Sequence, residues 1–239
     1  ADAEWEAAKP APLQDLGTVE RLSVLPLVEF YSAPSALGAG PRAAAGVRAA
    51  GNGAPAFRTE SGVSYLIKTD DRTILFDVGY NQRGEHPSPL LHNMAALGVS
   101  PDDLDAVFIS HIHLDHVGGP RCQARRTFAL SADDVDLRGI PAYVPAPMTH
   151  STAAVDVVGE GRKLGDGLAS TGPLTRAIWL TGPAIEQSLL VNVKDRGMVV
   201  IVGCGHPSLS RILTRAQALV EAPLHGVIGG LHFPVTGTR

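Results

Sequence analysis

Three histidines and one aspartate fall within the six consecutive residues HIHLDH at positions 111–116. This run directly follows an apolar, strand-like stretch at 106–110. Imidazole nitrogens and carboxylate oxygens are the ligands that borderline divalent metals prefer, and burying such groups together is costly unless a cation holds them. We therefore predict that this run, called the histidine cluster below, belongs to a metal centre.

The spacing of the histidine cluster predicts two adjacent half-sites. His111 and His113 are two residues apart and project to the same side of an extended chain, whereas Asp115 and His116 follow on a turn and face another side. The alternative is a single structural zinc, which four protein ligands, often cysteines, would close. The two cysteines of the chain are far apart and not in a zinc-finger spacing. An open, water-bearing site is therefore favoured.

Two more histidines follow strand-like segments. Residues 198–202 lead into GCGH, which ends in His206, and residues 224–228 lead into GGLH, which ends in His232. Strand ends within one layer can hold loop ligands in register. We therefore expect both histidines to lie near the histidine cluster.

The remaining patterns predict a mixed α/β chain. Strands are predicted at 21–30, 62–69, 73–76, 188–193, 198–202 and 224–228, and helices at 88–97 and 208–220. The turns at 70–71 and 194–197 predict two antiparallel hairpins. Between 121 and 176, proline and glycine interrupt the patterns, and 143–145 is the best strand candidate.

Length and composition narrow the function. The 239 residues suit one domain, with a flexible loop expected over the Gly- and Ala-rich residues 37–56. A net charge of −4 argues against a nucleic-acid partner. No apolar run approaches the roughly 20 residues that span a bilayer, so no membrane partner is expected. We expect a soluble, cytoplasmic protein, with a processed secreted or periplasmic form as the alternative, and the oligomeric state is open.

Four motifs resemble the metallo-β-lactamase fold superfamily: ILFDVG at 74–79, the histidine cluster followed by Gly118-Gly119, GCGHP at 203–207 and GGLH at 229–232. Together with EQSLLVNV at 186–193, they are most similar to the branch of dihydropterin ribofuranosylaminobenzene phosphate synthase and related metal-dependent hydrolases. The resemblance implies a four-layer αββα sandwich with its metal site at one edge. Because the chain stops seven residues after His232, we expect it to lack the C-terminal closing elements of that fold.

The resemblance also implies how the ligands are divided. It assigns His111 and His113 to one metal, and Asp115, His116 and His232 to a second. For the third ligand of the first metal the candidates are, in order, His206, Glu186 and Cys204. Asp77 is expected to hydrogen-bond a ligand histidine or the cluster loop.

The expected function is a metal-dependent hydrolase of a small ester, lactone, amide or phosphoryl substrate. One or two Zn²⁺ ions are expected, with Mn²⁺ or Fe²⁺ as alternatives. Asp115 is the candidate catalytic residue that orients water or relays a proton. A pterin/ribosylaminobenzene phosphate synthase is the first alternative, and a non-catalytic metal-dependent sensor or binding module is the second. His150, in the poorly patterned middle of the chain, is a candidate to line a pocket.

Overall fold

The computed structural model describes residues 10–29, 57–178 and 182–231. The loop expected over 37–56 and the predicted ligand His232 lie outside the described residues. The strands are β1 Ser23–Val28, β2 Ser64–Lys68, β3 Thr73–Phe76, β4 Ala106–Phe108, β5 Pro141–Val144, β6 Ala154–Val157, β7 Arg162–Gly165, β8 Leu168–Ser170, β9 Leu174–Ile178, β10 Gly182–Glu186, β11 Leu189–Val193, β12 Gly197–Val202 and β13 Leu224–Gly229. The α-helices are α1 Pro89–Ala96, α2 Pro120–Arg125 and α3 Leu209–Leu219, and Pro101–Asp103 form a 3-10 turn.

The strands form two large sheets and a separate hairpin. The first sheet has the order β1-β2-β3-β4-β5-β6, antiparallel from β1 to β3 and parallel from β3 to β6. The second has the order β13-β12-β11-β8-β7, in which only the β12–β13 pair is parallel. Strands β9 and β10 pair with each other.

Alternating side chains divide the apolar core into layers. In β2, Tyr65 and Ile67 face the second sheet, whereas Leu66 packs with helix α1. In β12, Val199 and Ile201 face the first sheet, and the alternate residues pack with α3. Because successive strand side chains point to opposite faces, each sheet carries an inner and an outer apolar face. The result is the predicted αββα order of layers.

Most of the predicted elements are confirmed. Both hairpins form, β2 with β3 and β11 with β12, and the two predicted helices match α1 and α3 to within two residues at each end. The poorly patterned middle contains α2 and the strands β5 to β9. Several of these strands have only three or four residues, too few for a clear period of two.

In the described part of the chain, no helix is both long and apolar enough to cross a membrane.

The layer between the sheets should dominate stability. Ile67 is fully buried there, whereas Leu25 on the neighbouring strand β1 is 38% exposed. Ile67→Ala should lower the free energy of unfolding by about 2–5 kcal/mol, because it leaves a cavity in a packed core. Leu25→Ala should cost less than about 1 kcal/mol. Urea unfolding of both variants tests this, and equal losses would contradict the assigned layer.

Candidate metal centre

The histidine cluster lies on the loop between β4 and α2. Strand β4 ends at Phe108, two residues earlier than predicted, and the cluster residues follow in irregular backbone. Gly118 shapes the end of this loop, since its φ is +88° and an added Cβ would lie 2.3 Å from the carbonyl oxygen of Ala129. Only glycine fits both this conformation and this close approach.

Three imidazoles converge in a first group. His111 Nε2 lies 3.1 Å from His113 Nδ1, and His206 Nε2 lies 3.0 Å from the same His113 nitrogen. His111 is buried and the other two rings are half-buried. The loop after β12, in the second sheet, thus brings His206 to the cluster loop of the first sheet.

A second group shares His111 and adds His116 and Cys204, all three buried. His116 Nε2 lies 3.1 Å from the sulfur of Cys204 and 3.5 Å from Asp115 Oδ2. Cys204, an alternative ligand for the first metal in the sequence analysis, therefore lies in the other group. Burial raises the pKa of its thiol, against the lowering effect of His116.

The buried carboxylate of Asp77 fixes the rings of His111 and His116. It accepts hydrogen bonds from the Ser110 N–H (2.7 Å), the Ser110 hydroxyl (2.6 Å) and His116 Nδ1 (2.7 Å). The Ser110 oxygen lies 2.9 Å from His111 Nδ1 and, since its own proton goes to Asp77, accepts a bond there. Both rings thus carry the proton on Nδ1 and present Nε2 to the site.

Burial and two neighbouring groups act on the pKa of His116. Burial disfavours its imidazolium form, but the neighbouring Asp77 and Cys204 raise the pKa of His116 well above its usual range.

Sequence reasoning identified Asp77 but missed Ser110, whose only signal is its place directly before His111.

Glu186 is buried, and both of its oxygens are occupied by backbone groups. Oε1 accepts the Gly205 N–H and Oε2 the His206 N–H, each at 2.8 Å. Burial raises the pKa of this carboxyl to about 7, although the two N–H donors lower it. Its carboxylate belongs to neither group of ligand atoms.

The first group suits a divalent ion. Zn–N bonds of about 2.0–2.1 Å in tetrahedral geometry separate the nitrogens by about 3.3–3.4 Å. The separations of 3.0 and 3.1 Å in the first group are close to this value. Three ring nitrogens this close together could bind one divalent ion.

His150 does not belong to either group. Its ring stacks on Phe128 with centroids 4.5 Å apart, and its Nδ1 accepts the N–H groups of Thr152 and Ala153, each at 3.1 Å. The ring thus stabilises a local turn. Burial lowers the pKa of His150.

Residues 58–119, which include β2, β3 and the histidine cluster, match the family model described as the Metallo-beta-lactamase superfamily. Among curated proteins, the chain is similar to 7,8-dihydropterin-6-methyl-4-(beta-D-ribofuranosyl)-aminobenzene-5'-phosphate synthase of Methanocaldococcus jannaschii. It is 22% identical over 263 aligned positions, which cover 92% of this chain and 80% of the relative.

Two further matches differ in extent. Transcription termination factor FttA of Cenarchaeum symbiosum is 45% identical over 53 residues, covering 22% of this chain but only 8% of that protein. A crystal structure described as a metal-dependent hydrolase of the beta-lactamase superfamily superimposes with a TM-score of 0.57 at 20% identity. The superposition covers 91% of this chain and 79% of the chain in that crystal structure. This likeness shows that the two chains share a fold.

Replacing Asp77 should weaken metal binding. Asp77→Asn keeps the size of the side chain but puts an amide where the carboxylate accepts bonds, so His116 and Ser110 lose their fixed orientation. Loss of such a partner typically lowers metal affinity by about 10- to 100-fold. Titration of metal-free protein with Zn²⁺ measures the change. Asp105→Asn, which removes a carboxylate that accepts the Thr73 N–H at 2.7 Å, should bind Zn²⁺ as the wild type does.

The role of His150 predicts a pH dependence. A proton on Nδ1 would break the hydrogen bonds from the N–H groups of Thr152 and Ala153. The His150 ring therefore binds a proton more weakly in the folded chain than in the unfolded chain. The stability due to His150 should be complete above about pH 6.5 and decline as the pH falls towards the lowered pKa of the folded state. His150→Asn keeps an acceptor and does not titrate. Between about pH 7.5 and about pH 5.5, the wild type should lose more unfolding free energy than this variant. Identical losses in urea titrations would exclude the assigned role.

Proposed function

We propose that this chain is a metal-dependent hydrolase of the metallo-β-lactamase superfamily that acts on a small molecule. The observation that carries the proposal is the convergence of His111, His113 and His206 beside a second group of ligand atoms. The shared fold with a structure described as a metal-dependent hydrolase supports it.

In this proposal the two groups hold up to two divalent ions. His111, His113 and His206 bind the first, and Asp115, His116 and Cys204 contribute to the second, together with His232. Zinc suits imidazole and thiolate ligands, with Mn²⁺ and Fe²⁺ as alternatives. A bound ion supplies a Lewis acid that brings the pKa of water towards about 7 and polarises the bond to be cleaved.

The chain's own residues orient the reacting groups. Asp77, directly and through Ser110, keeps His116 and His111 in the tautomer that binds through Nε2. The side chain of Asp115 is 21% exposed, so it can reach both the site and solvent. We assign it to orienting the attacking water and passing the proton of that water to the leaving group. Small molecules with an ester, lactone, amide or phosphoryl bond are the substrates that this chemistry could cleave.

A synthase reaction is the second candidate, because the curated relative that matches 92% of this chain carries that name. In such a reaction the site would join two substrates instead of adding water to one. The same metal groups would serve both reactions. The two reactions are therefore distinguished by their products, which are cleaved fragments for a hydrolase and one joined molecule for a synthase.

Metal analysis combined with substrate panels tests the proposal. Purified protein should contain a divalent metal and hydrolyse at least one member of an ester, lactone and phosphodiester panel. Loss of one ligand in His113→Ala should lower the metal content and reduce hydrolysis at least about 100-fold. His225→Ala changes an exposed histidine on β13 and should leave both unchanged.

Three results would contradict the proposed hydrolase. A metal-free wild-type protein that hydrolyses the panel would exclude the metal mechanism. A metal-loaded protein that joins pterin and arylamine phosphate pairs but cleaves nothing would favour the synthase. Metal without turnover in either assay would point to a binding module.

A further inference from the structure

Glu186 connects the loop that carries His206 to the end of strand β10. The two backbone N–H groups that its carboxylate accepts belong to consecutive residues, Gly205 and His206. The side chain is only 1% exposed. Two hydrogen bonds from buried N–H groups to one carboxyl group hold the loop firmly because no water competes for the donors.

The anchor of this carboxylate is itself rigid. Gln187, the next residue, donates its N–H to the Ser110 carbonyl at 2.9 Å and its side-chain amide to the Ile109 carbonyl at 2.9 Å. Its side-chain oxygen accepts the Ser170 hydroxyl at 2.8 Å. Glu186 is therefore attached to the backbone immediately before His111.

The loop at 203–207 has little regular bonding of its own. Gly205 has φ +76°, and at Gly203 an added Cβ would lie 2.2 Å from the Ser110 hydroxyl and 3.2 Å from Glu186 Oε1. The loop backbone thus lies directly against Ser110 and Glu186. Its path is set by these contacts because no strand ladder continues through it.

We propose that Glu186 is a positioning residue that holds His206 within reach of His113 before any ion binds. The inference rests on the assignment of His206 as a metal ligand in the proposed function. Glu186, a candidate ligand in the sequence analysis, acts here through the backbone of a ligand. An imidazole already held in place loses less conformational entropy when an ion binds.

The chain offers a matched control in Glu60. Its carboxylate also accepts two consecutive backbone N–H groups, from Tyr80 and Asn81, each at 2.8 Å. Neither Tyr80 nor Asn81 is a candidate metal ligand. Glu60→Gln and Glu186→Gln therefore remove the same kind of contact, and only the second touches the backbone of a proposed ligand, His206.

The experiment is a titration of metal-free protein with Co²⁺, followed by its visible absorption and by calorimetry. Glu186→Gln should weaken the binding of one ion by about 10- to 100-fold and change the absorption bands, because His206 is no longer held. Glu186→Asp, which keeps the charge on a shorter side chain, should restore part of the affinity. Glu60→Gln should lower stability but keep the wild-type affinity and absorption.

A double-mutant cycle shows whether the effect passes through His206. In a His206→Ala background, Glu186→Gln should have no further effect on Co²⁺ affinity. Wild-type affinity and absorption in Glu186→Gln, or an equal further loss in the His206→Ala background, would overturn the inference. None of these readouts depends on hydrolysis, so a failed hydrolase assay leaves the result interpretable.

A measurement on the wild type covers the case in which the variants do not fold. In metal-free protein, the amides of Gly205 and His206 should exchange slowly with deuterium, because Glu186 already holds them. Fast exchange at both amides before metal is added would overturn the inference.

Discussion

Asp77 accepts three hydrogen bonds while fully buried at the end of β3. A buried carboxylate is costly unless donors or charges compensate it, and here the donors are Ser110 and the His116 ring. The same bonds decide which nitrogen of His116, and through Ser110 of His111, faces the site. The arrangement of the two candidate metal-binding groups therefore depends on how this one negative charge is compensated.

The two sheets meet at the edge where this charge lies. Strands β3 and β4 deliver Asp77 and the histidine cluster from the first sheet, and β12 delivers Cys204 and His206 from the second. The apolar layer between the sheets fixes their separation, so the ligand loops meet without needing regular structure of their own. Gln187 adds polar bonds across the same edge.

Part of the fold and of the candidate site could be predicted from the sequence. The histidine cluster and the motif ending in His206 are local in sequence, so they can be recognised without the fold. The side chains of β2 and β12 point alternately to the two faces of their sheets, which indicates the layers on each side. The pairing of Cys204 with His116 was not predictable, because it depends on ring orientations set by Asp77. The role of Glu186 was hidden for a similar reason, since its partners are backbone groups of residues 205 and 206. The assignment of His232 stays a prediction.

The middle of the chain shows the limit of periodicity. Strands β6 and β7 are short, and their side chains are mostly half-buried or exposed. They form where neighbouring strands provide partners, so their existence is decided by tertiary contacts. The positions of these strands could therefore be found only from the structure.

Anomalous diffraction from crystals of zinc-loaded protein tests the central claim most directly. The account predicts an ion bonded to His111 Nε2, His113 Nδ1 and His206 Nε2, with Glu186 still bonded to the backbone of residues 205 and 206. Zinc bound elsewhere, or bonded to the Glu186 carboxylate in place of His206, would contradict it.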